Sequence, residues 1–218
     1  QTALMWAAAE AHTGVVRALI DHGATISARS TNGYTAILIA ARENTPKLMQ
    51  LLVEAGADVN DASPDGMTPL LVATVRGHAE LVLDLLERGA DPNASGPGYT
   101  ALHWVSGAWH TELTGNLQGI DVGREKEWLS LNEFSDDRKV SVVEALLQHG
   151  ANVNVRLERK PPQYGFASGR FRVGLIGATP FWLAAMDGNV ALMRMLSEAG
   201  ADATLGTDEE TSPLMVAA

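Results

Sequence analysis

The chain has 218 residues, 46% of them hydrophobic, with no cysteine and with 16 basic against 26 acidic side chains, a net charge of −10. That is enough apolar material for one buried core and too little length to insist on two domains. The charge disfavours phosphate backbones and anionic membrane surfaces. Missing thiols exclude disulfides and thiolate metal sites, and no apolar run approaches the roughly 18 residues of a membrane span.

In chain order, one plan recurs. Helices are predicted to start after Thr2, Thr35, Thr68, Thr100, Thr179 and Ser212, each followed by Ala or Pro and then an apolar residue. The hydroxyl oxygen caps free amides there, and Pro is tolerated in the first turn. The starts are 33, 33, 32, 79 and 33 residues apart. A second helix follows with an apolar stripe, as in Leu51-Leu52-Val53 and Leu146-Leu147, and Gly56, Gly89, Gly150 and Gly200 end it where a left-handed residue is favoured. Asn32-Gly33 and Asp65-Gly66 then make hairpin turns. Each unit is helix, turn, helix, hairpin, and none can bury its apolar face alone. The apolar run Leu214-Met215-Val216 has no second helix after it, which predicts that the array continues.

The step of 79 exceeds 33 by 46 residues. About 29 fall between the helices of the fourth unit, because its first helix is expected to end near Trp109-His110 and its second to start near Asp137. This insertion carries Ile120, Trp128, Leu131 and Phe134 at roughly helical spacing. It either folds back on the array or offers Trp128 as a partner anchor. About 17 residues are inserted in the next hairpin. There Arg156, Arg159, Lys160, Arg170 and Arg172 stand against one acid, Glu158, among Tyr164, Phe166 and Phe171. A basic, aromatic finger on an acidic chain suits an acidic patch on a partner. The bland alternatives are a solvated hairpin, or one that pairs with the acidic body of its own chain.

The pattern Thr-Pro-Leu-His-x-Ala, with Gly-Ala-Asp two-thirds of a period on, resembles the ankyrin repeat, and Gly66 to Asn93 is the closest copy. The resemblance implies an all-α solenoid of helix-turn-helix units with β-hairpin fingers. It would be one domain with repeats at about 1–29, 30–62, 63–95, 96–156, 175–207 and a partial one at 208–218, and insertions at about 110–137 and 157–176. It implies a non-catalytic protein–protein interaction module or assembly subunit, with no cofactor, that binds another protein through a concave face. By position in the motif the contact candidates are Asn32, Tyr34, Arg42, Glu43, Asp65, Met67, Arg76 and Tyr99, with Thr31, Pro64, Val75, Gly107 and Ala108 beside them. Three departures stand out: Asn44-Thr45-Pro46 for the usual Gly-His, Val105-Ser106 for Ala-Ala, and Asp84 for a leucine. Within the family, the opening and Gly177 to Ala185 look most like bacterial ankyrin-repeat proteins, many of them exported.

A search for chemistry returns little. His78 and His103 sit at structural places in the repeat, His22 and His149 precede helix-ending glycines, His12 lies at a helix-helix turn, and His110 borders an insertion. No His pair has metal-ligand spacing, and neither a Gly-x-Ser-x-Gly elbow nor a phosphate-cradling Gly-Lys-Ser/Thr loop occurs. Trp6, Trp104 and Trp182 lie on first helices, where they serve either repeat packing or a concave binding face. Two other readings compete with protein binding: a small-molecule or catalytic site built by the insertions near His110 and Asp136, and a structural spacer in a longer exported protein.

Overall fold

The computed structural model describes residues 1–107, 134–160 and 174–217. Trp128, Tyr164, Phe166, Arg170 and Arg172 lie outside the described residues, as do His110 and Trp109. The chain divides into two compact units, Gln1–Gly96 and Pro97–Ala218.

The first unit holds three helix pairs: α1 (Ala3–Ala9) with α2 (Thr13–Asp21), α3 (Ala36–Arg42) with α4 (Pro46–Glu54), and α5 (Pro69–Val75) with α6 (Ala79–Glu87). The second holds α7 (Ala101–Ser106) with α8 (Asp136–Gln148), α9 (Pro180–Met186) with α10 (Val190–Glu198), and α11 (Pro213–Ala217). Helix α7 stops at Ser106, three residues short of the expected Trp109, because Gly107 turns extended at φ −111° and ψ 158°. In the first unit α3 packs between α1 and α5, and in the second α9 packs between α7 and α11. Small side chains allow this: Ala40, Ala41, Ala184 and Ala185 are buried at the contacts. Leu48, Met49 and Leu52 of α4 are also fully buried, each worth about 1.5–3 kcal/mol.

The capping chemistry read from the sequence is in place. The hydroxyls of Thr2, Thr68, Thr100 and Thr179 accept from the amides of Met5, Leu71, His103 and Trp182 at 3.2–3.3 Å. Thr35 departs from this, and its Oγ1 donates 2.6 Å to Asp61 instead. At the far end of each second helix the residue after the glycine donates back five residues: Ala24 to Leu19, Ala57 to Leu52, Ala90 to Leu85, Ala151 to Leu146 and Ala201 to Leu196, all at 2.9 Å. The glycines before them hold φ between +82° and +97°, the left-handed cap that needs no Cβ. At the turn inside a pair, Gly77 and Gly188 take positive φ, and Ala11 (+54°) and Asn44 (+52°) take it where no glycine is present.

The fingers are tight turns. Ser30 N donates to Tyr34 O (2.8 Å) and Gly33 N to Ser30 O (2.9 Å). Ser63 with Met67 and Thr207 with Thr211 close in the same way. Two bonds close a turn without extending a ladder, so no β-strand occurs among the described residues.

A polar joint links neighbouring repeats in both units. Asn60 Nδ2 donates to Gly89 O (3.2 Å) and Asn60 Oδ1 accepts from Asp91 N (2.8 Å). Asn154 repeats this with Gly200 O (3.2 Å) and Asp202 N (2.8 Å).

Candidate partner-binding face

In the first unit, α1, the turn at Asn32-Gly33 and the end of α3 enclose an open cleft of about 370 Å³. Its lining includes the apolar Met5, Trp6 and Ile39 and the polar Asn32, Tyr34 and Arg42. Trp6 is 60% exposed, whereas Ile39, Val72, Trp104 and Leu183, at the same place in other repeats, are buried.

Arg42 terminates α3, where its charge favours the carbonyl end of the helix. Its Nε donates 2.7 Å to Glu43 Oε1. Its backbone carbonyl is held by the next repeat, with His78 Nε2 at 3.1 Å. A carbonyl only accepts, so this nitrogen carries the proton, and burial pushes the His78 ring below the usual imidazole pKa, which keeps it neutral. Burial first, and then the Asp65 carboxylate, raise the Tyr34 phenol above its ordinary value, with Arg42 pulling the other way. Tyr34 is therefore a neutral hydroxyl at physiological pH.

The structure brings Asn32, Tyr34 and Arg42 into one cleft with Glu43 at its edge. Asp65 is exposed on the next turn, accepting from the Ser63 hydroxyl, and Met67 is half-buried beside it. Arg76 is half-buried at the end of α5. Tyr99 corrects its expectation: it is 4% exposed, with its ring 5.9 Å from that of Trp104, so it presents no contact surface. Arg159 and Lys160 are exposed, and the amides of Glu158 and Arg159 both donate to Gly98 O, at 3.0 and 3.1 Å. The sequence offers Trp6 only together with Trp104 and Trp182, for repeat packing or for a concave face. Every repeat carries an apolar residue there, and Trp6 differs in that α1 packs against the single first helix α3, whereas α3 packs between α1 and α5.

Four histidines, His22, His78, His103 and His149, bond to backbone. His22 Nδ1 and His149 Nδ1 lie 2.7 and 2.9 Å from the carbonyls of Ala18 and Ala145 at their helix ends. His103 Nδ1 accepts from Thr100 N (3.2 Å), and its Nε2 faces Val155 O (3.1 Å) and Ala178 O (3.3 Å). Among the described residues no three His, Asp or Glu side chains gather as a metal site, and no helix is long and apolar enough to cross a membrane.

A family model described as "Ankyrin repeats (3 copies)" matches residues 1–63, and one described as "Ankyrin repeat" matches 65–96. The fold is an ankyrin-repeat solenoid. The ankyrin repeat domain of Bcl-3, described as a unique member of the IkappaB protein family, is similar over 100% of this chain and 78% of its own, at 28% identity and a TM-score of 0.70. No curated protein matches in sequence. The ankyrin fold is common, with 507 solved chains matching, so likeness to any one of them does not fix a partner.

Proposed function

We propose that this ankyrin-repeat chain is a non-catalytic protein-binding module or assembly subunit, which grips another protein by the first helices and finger turns of Gln1–Gly96. Ankyrin repeats generally mediate protein–protein interaction, which supports the class. The observation that carries the reading is the cleft where exposed Trp6 meets Tyr34 and Arg42. An exposed tryptophan beside an arginine and a tyrosine is the composition of an interface hot spot. The exposed bases Arg159 and Lys160 open the basic stretch that runs on to Arg170 and Arg172, and it serves as a second contact, for an acidic patch on the partner. A bacterial, exported setting goes with this proposal through the resemblance around Gly177 to Ala185.

Capture from the native source tests it, with three baits: the intact chain, Trp6→Ala/Tyr34→Ala, and a chain with residues 157–176 replaced by a short turn. One protein held by the intact chain and lost with the double substitution places the contact on the cleft. Loss with the replacement adds the basic stretch. Equal capture by all three overturns both assignments.

A further inference from the structure

We propose that the cleft between α1 and α3 takes a short extended segment of the partner in which a carboxylate side chain adjoins a bulky apolar one. This rests on the protein-binding reading above and adds the chemistry of what is bound.

Charge complementarity comes first. In a chain of net charge −10, Arg42 is the one charged side chain among the described residues that line this cleft, and none of them is a carboxylate. Glu43 engages only the Nε edge of the guanidinium. The two Nη groups make no hydrogen bond among the described residues, which leaves the end-on edge of the fork for a carboxylate. The Glu43 bond, 2.7 Å long, also restricts the arginine side chain before anything binds. Ordering it on binding therefore costs less.

Part of the lining is apolar. Met5 and Ile39, both buried, line the cleft together with the exposed Trp6. This forms a floor and a platform for one large apolar side chain. Asn32 and the neutral Tyr34 hydroxyl also line the cleft, and they can pair with the amides and carbonyls of an extended backbone. About 370 Å³ lies at the small end of the roughly 300–1,000 Å³ of ligand sites, room for a few side chains. Glu43 at the rim and Asp65 beyond Tyr34 weaken the attraction for an acid, so binding is modest and salt-sensitive.

The test is fluorescence anisotropy with a panel of short capped peptides in which glutamate adjoins leucine, phenylalanine or tryptophan, each paired with its glutamine counterpart. At least one glutamate peptide is expected to bind the whole chain about tenfold more tightly than its counterpart. Arg42→Gln should abolish that ratio, Glu43→Gln should increase it, and Trp6→Ala should weaken both members of the pair. Arg194→Gln, an exposed change on α10, should leave all of them unchanged, and circular dichroism checks that Arg42→Gln remains folded. Equal binding of paired peptides, or a ratio that survives Arg42→Gln, overturns the proposal. If no peptide binds while a captured protein still depends on Trp6, this chemistry fails and the protein-binding reading stands. A concentration-dependent dimer of the intact chain that is lost in Trp6→Ala gives the face to a second copy and likewise overturns it.

Discussion

The indole Nε1 of Trp182 donates to the carbonyl of Thr211 at 2.8 Å, and the imidazole Nε2 of His103 reaches the carbonyl of Ala178, the matching position one repeat earlier, at 3.3 Å. Two different rings thus deliver an N–H to the same backbone group of the following repeat. The same helix position holds Met5, Leu38 and Leu71 in the first three repeats, which have no such donor.

Trp182→Phe should remove one of these bonds while keeping an aromatic ring in a fully buried site. The Thr211 carbonyl loses its donor, at about 1–3 kcal/mol, with a further cavity term. Urea unfolding should show the loss. A change below about 0.5 kcal/mol would mean that water replaces the indole without penalty.

His103 gives stability a pH dependence of definite sign. Burial holds its pKa down to about 4 in the folded chain, against 6.5 for a free imidazole. The unfolded chain therefore binds more protons between these values, so stability is complete above about pH 6.5 and falls as the pH drops toward 4. The total is roughly 3 kcal/mol. His103→Leu, the residue used at Leu38 and Leu71, should lower stability at neutral pH and flatten this window. Urea midpoints at several pH values compare the two chains, and parallel curves would assign the titration elsewhere.

Ala11 holds φ +54° where Gly77 and Gly188 serve the same turn. A left-handed alanine costs roughly 1–2 kcal/mol, only partly offset by the greater freedom glycine gains when unfolded. Ala11→Gly should therefore stabilise the chain by about 0.5–1 kcal/mol, visible as a higher thermal midpoint. A lower midpoint would refute it.

Gly66 sits at φ +82° with its Cα against the backbone of Gly96 in the next finger, leaving no room for a Cβ. Gly66→Ala adds a backbone clash to the left-handed strain and should cost more than about 2 kcal/mol. Gly56→Ala, with an equally positive φ of +97° but open space around it, should cost less. Comparing the two by denaturation separates the clash from the strain.

Much of the fold was legible because its signals are local. A Thr two residues before a buried apolar residue and a Gly at each second-helix end act through bonds spanning three to five residues, and the structure makes those bonds. The exceptions are also local, since Asn44 and Ala11 adopt the glycine conformation without being glycine. The candidate face was only half legible. Asn32, Tyr34 and Arg42 could be placed by position in the motif, but whether an aromatic ring is covered depends on what stacks against it. Trp6 and Trp104 have the same place in the repeat and opposite exposure, and Tyr99 is buried where Tyr34 lies half open.

The joints made by Asn60 and Asn154 have equal bond lengths, yet the partner amide lies 31 residues on in one case and 48 in the other. The difference, 48 − 31 = 17, is the length of the extra stretch in the second hairpin. The repeat register is thus indifferent to how much chain is threaded between its anchor points. Asn154 therefore ties its repeat to the next by the same two bonds as Asn60, so substituting either asparagine should loosen the stacking alike, however much chain runs between donor and acceptor.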